Sequence, residues 1–323
     1  MSIATLVPQT WELTGDDARE TLKRTGTRRL VRDAFVRFRA ADGFSHARSL
    51  AFAISLLLVQ GVIVLVGVAA ALGDTEVSAT VVRAVTSAVP GPAGTALTDA
   101  VFRAYATGAS GQYLGLVLVG VAAIVTGLTL MGQIERALNR LYGIEQDRPT
   151  LRKYGRALVL TLTAGVLVTA AFAMFAVGHA IGQGSGQDSA AQVWKVARWP
   201  LALLLTIGAI ALLFRWSPNR HQPAWSWLAF GAAVSVVLWS LATLALGLFF
   251  ENSTTFGRTY GPLAGMMAIL LWALLSSVAI LFGAALAAQL EAVRAGASDP
   301  RDETKDPEHT DEVSAPVFAA TAR

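Results

Sequence analysis

The chain contains no cysteine. Disulfides, thiol nucleophiles, cysteine-ligated zinc and iron–sulfur clusters are excluded with it. Charge is scarce as well: 15% of residues are Asp, Glu, Lys or Arg, against about 25% in an ordinary soluble domain. There are four histidines, His46, His179, His221 and His309, and none stands in an H-x-H, H-E-x-x-H or H-x-x-x-D-H arrangement. A metallonuclease needs several imidazoles and carboxylates converging on a metal, and those residues are missing. A G-x-S-x-G elbow and a P-loop are absent too. The sequence therefore predicts no catalytic residue, no metal site and no cofactor, and the protein is read as not an enzyme.

Apolar residues are abundant. They make up 54% of the chain, with a mean hydropathy of +0.52. Residues 259–290 run without a formal charge, and about 20 such residues suffice to cross a hydrocarbon core roughly 30 Å thick. Reading this last run first gives a membrane span at 262–289. The same criterion places others at 50–72, 112–133, 157–181 and 224–250. A further span begins near Val193 and ends before Arg215, with Lys195 and Arg198 reaching outward to the interface. The expected fold class is all-α: a polytopic membrane protein of six transmembrane helices, with an N-terminal amphipathic helix and an extracytoplasmic helical hairpin.

Three regions follow: a cytoplasmic tail and basic helix at 1–47, the six-span membrane domain at 48–292, and a disordered acidic tail at 293–323. The first 15 residues show no periodicity and read as mobile. No cleavable signal peptide is visible, since the first 47 residues are polar and basic. Beyond Asp16, Leu30, Val31, Ala34, Phe35 and Phe38 recur at helical spacing among arginines. Two readings fit this stretch: a helix lying among anionic head groups, and a helix packed on the ends of the spans. Residues 74–111 hold two weakly amphipathic pieces broken by Pro90-Gly91-Pro92, which predicts a hairpin on the outer surface or dipping into it.

Lysine and arginine set the orientation. The N-terminal segment is crowded with arginine, and the loop after the second span carries Arg136, Arg140, Arg148, Arg152, Lys153 and Arg156. The opposite side has Arg83, Arg103 and Arg258. Both termini are therefore expected in the cytoplasm. The pI of 9.7 reflects this one-sided placement beside apolar runs, not a nucleic-acid-binding face.

Buried polar residues are the remaining candidates. Gln60 lies within the first span and His179 near the outer end of the third. Each reads either as a hydrogen bond between helices or as a contact on a substrate path. Glu135, Arg136, Asn139 and Arg140 lie on the cytoplasmic continuation of the second span, with Glu135 and Asn139 on one face. This cluster could hold an anionic lipid head group, and the same arginines would also arise from membrane anchoring alone. The partners expected are membrane lipids with anionic head groups at the cytoplasmic face, and an envelope protein or a second copy of the chain. No nucleic acid is expected.

Three stretches carry a resemblance: DGFSHARSLAFA at 42–53, ERALNRLYGI at 135–144 followed by RPTLRK, and YGPLAGMMAILLWALLSSVAILFGAALAAQLE at 260–291. In their order and spacing they resemble the YihY/virulence factor BrkB family of bacterial inner-membrane proteins, once labelled ribonuclease BN. The resemblance implies both termini inside, a link to envelope integrity, and movement of lipid or lipopolysaccharide precursors in some members. The chain departs from that family at the end of the last span. A G-A-E-L-N-A-E-like ending is replaced here by Gly283-Ala284-Ala285-Leu286-Ala287-Ala288-Gln289, and the first span lacks an early proline. The leading expectation is a non-enzymatic envelope protein that transports or exports lipid-linked material. The alternative is a scaffold that binds an envelope partner.

Overall fold

A computed structural model of the chain describes residues 3–10, 15–73, 76, 78–82, 89, 91–111, 113–181, 189–253, 256, 259–260 and 263–302. Side chains are described at these positions except 15–17, 164, 168–181, 189–195 and 198–199. Among the described residues the regular structure is helical. In chain order the helices are α1 (Gly15–Thr25), α2 (Thr27–Ala40), α3 (Gly43–Ala71), α4 (Pro92–Ala109), α5 (Tyr113–Leu141), α6 (Thr150–Ile181), α7 (Ser189–Trp216), α8 (Trp225–Asn252) and α9 (Ala264–Arg294).

Four of these, α3, α5, α8 and α9, are long and apolar enough to cross a membrane by length and composition. They coincide with the first, second, fifth and sixth expected spans. The third and fourth expected spans coincide with α6 and α7, whose side chains lie in part outside the described residues. Outward-facing positions of α5 such as Leu114, Leu118 and Val121 are bare apolar surface, as a helix wall against lipid requires.

The run at 259–290 provides the central helix. Over its apolar window α9 is 61% buried, against 22–33% for the other three, and it packs against α8, α3, α2 and α4. Small residues make this possible. Ala284 to Ala288 are each at most 2% exposed, so neighbouring backbones approach closely. At the crossing of α8 and α9 a Cβ placed on Gly231 would lie 2.5 Å from the Gly283 carbonyl oxygen, and one on Gly283 would overlap Ser235 Oγ.

The hairpin expected at 74–111 is described in part. Residues 78–82 are helical, 83–88 lie outside the described residues, and α4 begins at Pro92, whose fixed φ and missing N–H suit a first helical turn. The inner face of α4 buries Leu97 beside Ala268 and Trp272 of α9, and Val101 beside Val62 and Val66 of α3. It closes the end of the bundle opposite α2.

Substitution tests the α8–α9 crossing directly. Gly283→Leu forces the helices apart and should cost about 1–3 kcal/mol or more by overpacking. Gly61→Ala, in open space on α3, should leave stability unchanged or raise it by roughly 0.5–1 kcal/mol. Thermal unfolding of both variants in one detergent should show the first lowered and the second not.

Candidate functional site

At the other end of the bundle the termini of α2, α5 and α9 converge, and buried polar side chains gather there. On α2, Leu30, Ala34, Arg37 and Phe38 share one face by helical spacing. Leu30 and Ala34 pack on Trp227, Leu286 and Leu290, which carries the Arg37 guanidinium into the core with no exposed surface. Its Nε donates to Gln289 Oε1 at 2.7 Å, and its Nη1 to the carbonyl oxygens of Thr5 at 2.8 Å and Leu141 at 3.1 Å. Burial pulls the Arg37 pKa down to about 10, against the raising effect of Tyr142 and Glu291. It remains a cation at neutral pH.

A second arginine enters from the turn after α7. Arg220 Nη2 donates to Glu291 Oε1 at 2.5 Å, in a pair whose side chains are 2% and 1% exposed. The same nitrogen donates to the Pro8 carbonyl at 2.9 Å, and the guanidinium stands 4.6 Å over the Tyr142 ring. The Thr10 hydroxyl donates to Glu291 Oε1 as well. Burial pushes the Tyr142 phenol well above its usual range, so it stays neutral.

Residues 3–10 and 297–302, read from the sequence as parts of two tails, are tied to this junction. Ile3 N–H donates to the Ala40 carbonyl, Val7 N–H to that of Tyr142, and Thr5 N–H to that of Pro300. Gln289 Nε2 donates to the Ser298 carbonyl at 2.7 Å. The strap needs room where it crosses Gly143: that residue has φ +73°, and a Cβ there would lie 2.6 Å from the Leu6 backbone. Ala4 and Val7 are buried. The mobile N-terminal tail expected from the lack of periodicity is therefore not found at residues 3–10. Backbone hydrogen bonds, which leave no periodic pattern, hold it.

The predicted cluster on α5 forms a neighbouring network. Glu135 pairs with Arg148 at 3.3 Å, and Arg148 also donates to the carbonyls of Ser217, at 2.6 Å, and Pro218. Asn139, fully buried, donates to Asp147 Oδ1 at 3.0 Å and accepts from the Asn219 backbone at 2.8 Å. Arg136, its side chain 56% exposed, reaches Asp147 at 3.5 Å. Arg140 donates to the carbonyls of Ile144 and Glu145 at 3.1 and 3.0 Å. Glu135 and Asn139 thus tie α5 to the turn after α7, Arg140 holds the loop that follows α5, and Arg136 faces outward.

Gln60 stands apart in α3, its Oε1 buried and without a hydrogen-bond partner among the described residues. The side chain of His179 lies outside the described residues. Ser276 and Ser277 donate to the carbonyls four residues back in their own helix. Among the described residues no cluster of His, Asp and Glu is arranged to hold a metal ion. Sequence reasoning missed Arg37, Arg220, Tyr142 and Thr10. For Arg37 a signal existed: a cation in register with Leu30, Ala34 and Phe38.

Asp147 gives this network a pH dependence. Burial raises its pKa, but hydrogen bonds from Asn139 and Lys153 and the charges of Lys153 and Arg136 outweigh that and hold it below the usual carboxylate range. A folded value below the unfolded one contributes stability above the unfolded pKa, lost as pH falls through the folded value. Protection of the amides of residues 144–148 against hydrogen exchange, taken relative to the intrinsic rate at each pH, should therefore fall below about pH 4. Asp147→Asn should show low protection at every pH, with that acid-dependent step removed.

Comparison with known proteins finds membrane proteins. The chain matches a UPF0761 membrane protein of Xanthomonas campestris pv. campestris (strain B100) at 28% identity over 214 residues, 62% of this chain and 49% of that protein. Proteins of the same name from Xanthomonas axonopodis pv. citri (strain 306) and Xanthomonas oryzae pv. oryzae (strain PXO99A) match at 28% over 62% of this chain, and over 50% and 49% of their own lengths. The chain spans about half the length of these curated relatives. No solved structure matches it. The family pattern described as virulence factor BrkB matches residues 34–308, and the chain belongs to that family.

Proposed function

We propose that the protein crosses the bacterial cytoplasmic membrane six times, through α3, α5, α6, α7, α8 and α9, with both termini in the cytoplasm, and that it moves lipid or lipid-linked material of the envelope. The observation that carries this is the outer face of α2. Opposite the stripe that packs on the bundle, Arg28, Arg32 and Arg39 alternate with Val31 and Phe35, which are 42% and 44% exposed. Arginines beside exposed aromatic and aliphatic side chains suit the head-group layer, where guanidinium meets phosphate and the apolar groups enter the acyl boundary. Arg136 stands on the same end, available to a head group.

The buried ion pairs Arg148–Glu135 and Arg220–Glu291 also gather at this end. The apolar windows of the four described spans hold few charged residues. A path for lipid needs an apolar wall for the tail and a polar edge for the head group. It does not need the midplane carboxylate of an ion-driven carrier. Gln60 is a candidate polar contact on that path, since its Oε1 lacks a partner among the described residues.

Reconstitution in liposomes with head-group-labelled phospholipids tests the reading. Protein-containing vesicles should transfer anionic lipid between leaflets at least about tenfold faster than empty ones, and Arg28→Gln with Arg32→Gln should reduce that rate. Binding to anionic vesicles with no lipid movement under any gradient would replace transport with a scaffold role.

A further inference from the structure

The junction holds more cationic charge than its carboxylates balance. Arg37 and Arg220 face each other's field, and the acid that faces both is Glu291; Tyr142, against which Arg220 stacks, is a neutral phenol. The N-terminal strap meets these two guanidiniums through backbone carbonyl oxygens alone, those of Thr5, Val7 and Pro8. Carbonyls are neutral acceptors, whereas the guanidinium fork matches the charged oxygens of phosphate or carboxylate. One donor is left over. Arg37 Nη2 is buried and has no hydrogen-bond partner among the described residues, and Thr5 Oγ1 is in the same condition. Buried polar atoms in native structures are normally paired, so Arg37 Nη2 is a donor that a charged oxygen could take up.

We propose that residues 3–10 act as an internal stand-in ligand, and that when this strap lifts, Arg37 and Arg220 bind a phosphate-bearing anion in its place. The strap's carbonyls occupy the guanidiniums weakly, and a phosphate would supply charged oxygens to the same donors and to Arg37 Nη2. The Tyr142 hydroxyl, which does not leave with the strap, stands at the same junction as a further donor. Lifting the strap breaks backbone hydrogen bonds to Ala40, Tyr142 and Pro300, so anion binding and strap release are coupled. The inference concerns binding at this junction and does not depend on transport.

The absence of cysteine allows a clean test. Ala4 and Arg301 pair as an isolated antiparallel bridge, so Ala4→Cys with Arg301→Cys in the full chain should form a disulfide that locks the strap down. Equilibrium binding of inorganic phosphate and of phosphatidic acid is measured in nonionic detergent for the oxidised and reduced forms. The reduced form should bind at least about tenfold more tightly than the oxidised form. Phosphate binding alone would identify a free-anion site, and phosphatidic acid alone a head-group site. Equal affinity in the two redox forms, or binding of neither probe to the reduced form, would overturn the proposal. Arg37→Gln should abolish the redox dependence. Should that variant fail to fold, the oxidised–reduced comparison decides the matter without it.

Discussion

A guanidinium and a carboxylate taken out of water lose several kcal/mol of hydration each, and only close pairing with further hydrogen bonds restores it. Arg220 and Glu291 meet that condition at the end of the bundle, and much of the surrounding structure follows from it. Glu291 must point inward from the last turn of α9, so burial of that helix continues to Ala292, two residues short of its exposed end at Arg294. Arg220 must reach it from the turn after α7, which brings that turn over Tyr142 at the end of α5. The strap then covers the pair, with Thr10 and the carbonyls of Val7 and Pro8 as additional partners. Arg37 joins α2 to the same centre through Gln289.

The two ends of the bundle are built on different physics. At the α4 end, closure is apolar: Leu97, Val101 and Trp272 fill the space between helices. At the α2 end, closure is ionic and rich in main-chain hydrogen bonds. Between them, α9 crosses α8 with backbone nearly against backbone at Gly231 and Gly283. Such packing is rigid, and a close-packed interface changes by discrete steps, not by continuous bending. Any movement of this protein should therefore be sought at the ionic end, where polar contacts can be exchanged for others.

Much of the fold was legible because the bilayer imposes a coarse rule: long uncharged runs become helices of matching length. Four described helices long and apolar enough to cross a membrane lie where those runs lie. The break at Pro92 and the helix at Thr27–Ala40 were legible for local reasons, a fixed φ and a regular apolar spacing. The junction was not. Arg37 reads as one arginine in a basic run, and its burial depends on what α2 packs against, which no local pattern states. The strap is held through main-chain groups that every residue carries. Gln289, noticed in the sequence as a departure from an acidic ending, takes both roles of an amide, accepting from Arg37 and donating to the Ser298 carbonyl. An ionised carboxylate there could not donate.

The claim that one buried ion pair organises this end is tested most directly by a double-mutant cycle on Arg220→Met and Glu291→Leu, followed by apparent Tm in detergent. Each single variant strands a buried charge and should be destabilised by about 3–5 kcal/mol, while the double variant, with neither charge left, should lose much less than the sum. Single variants each within about 0.5 kcal/mol of the wild type, or strictly additive effects, would contradict the account.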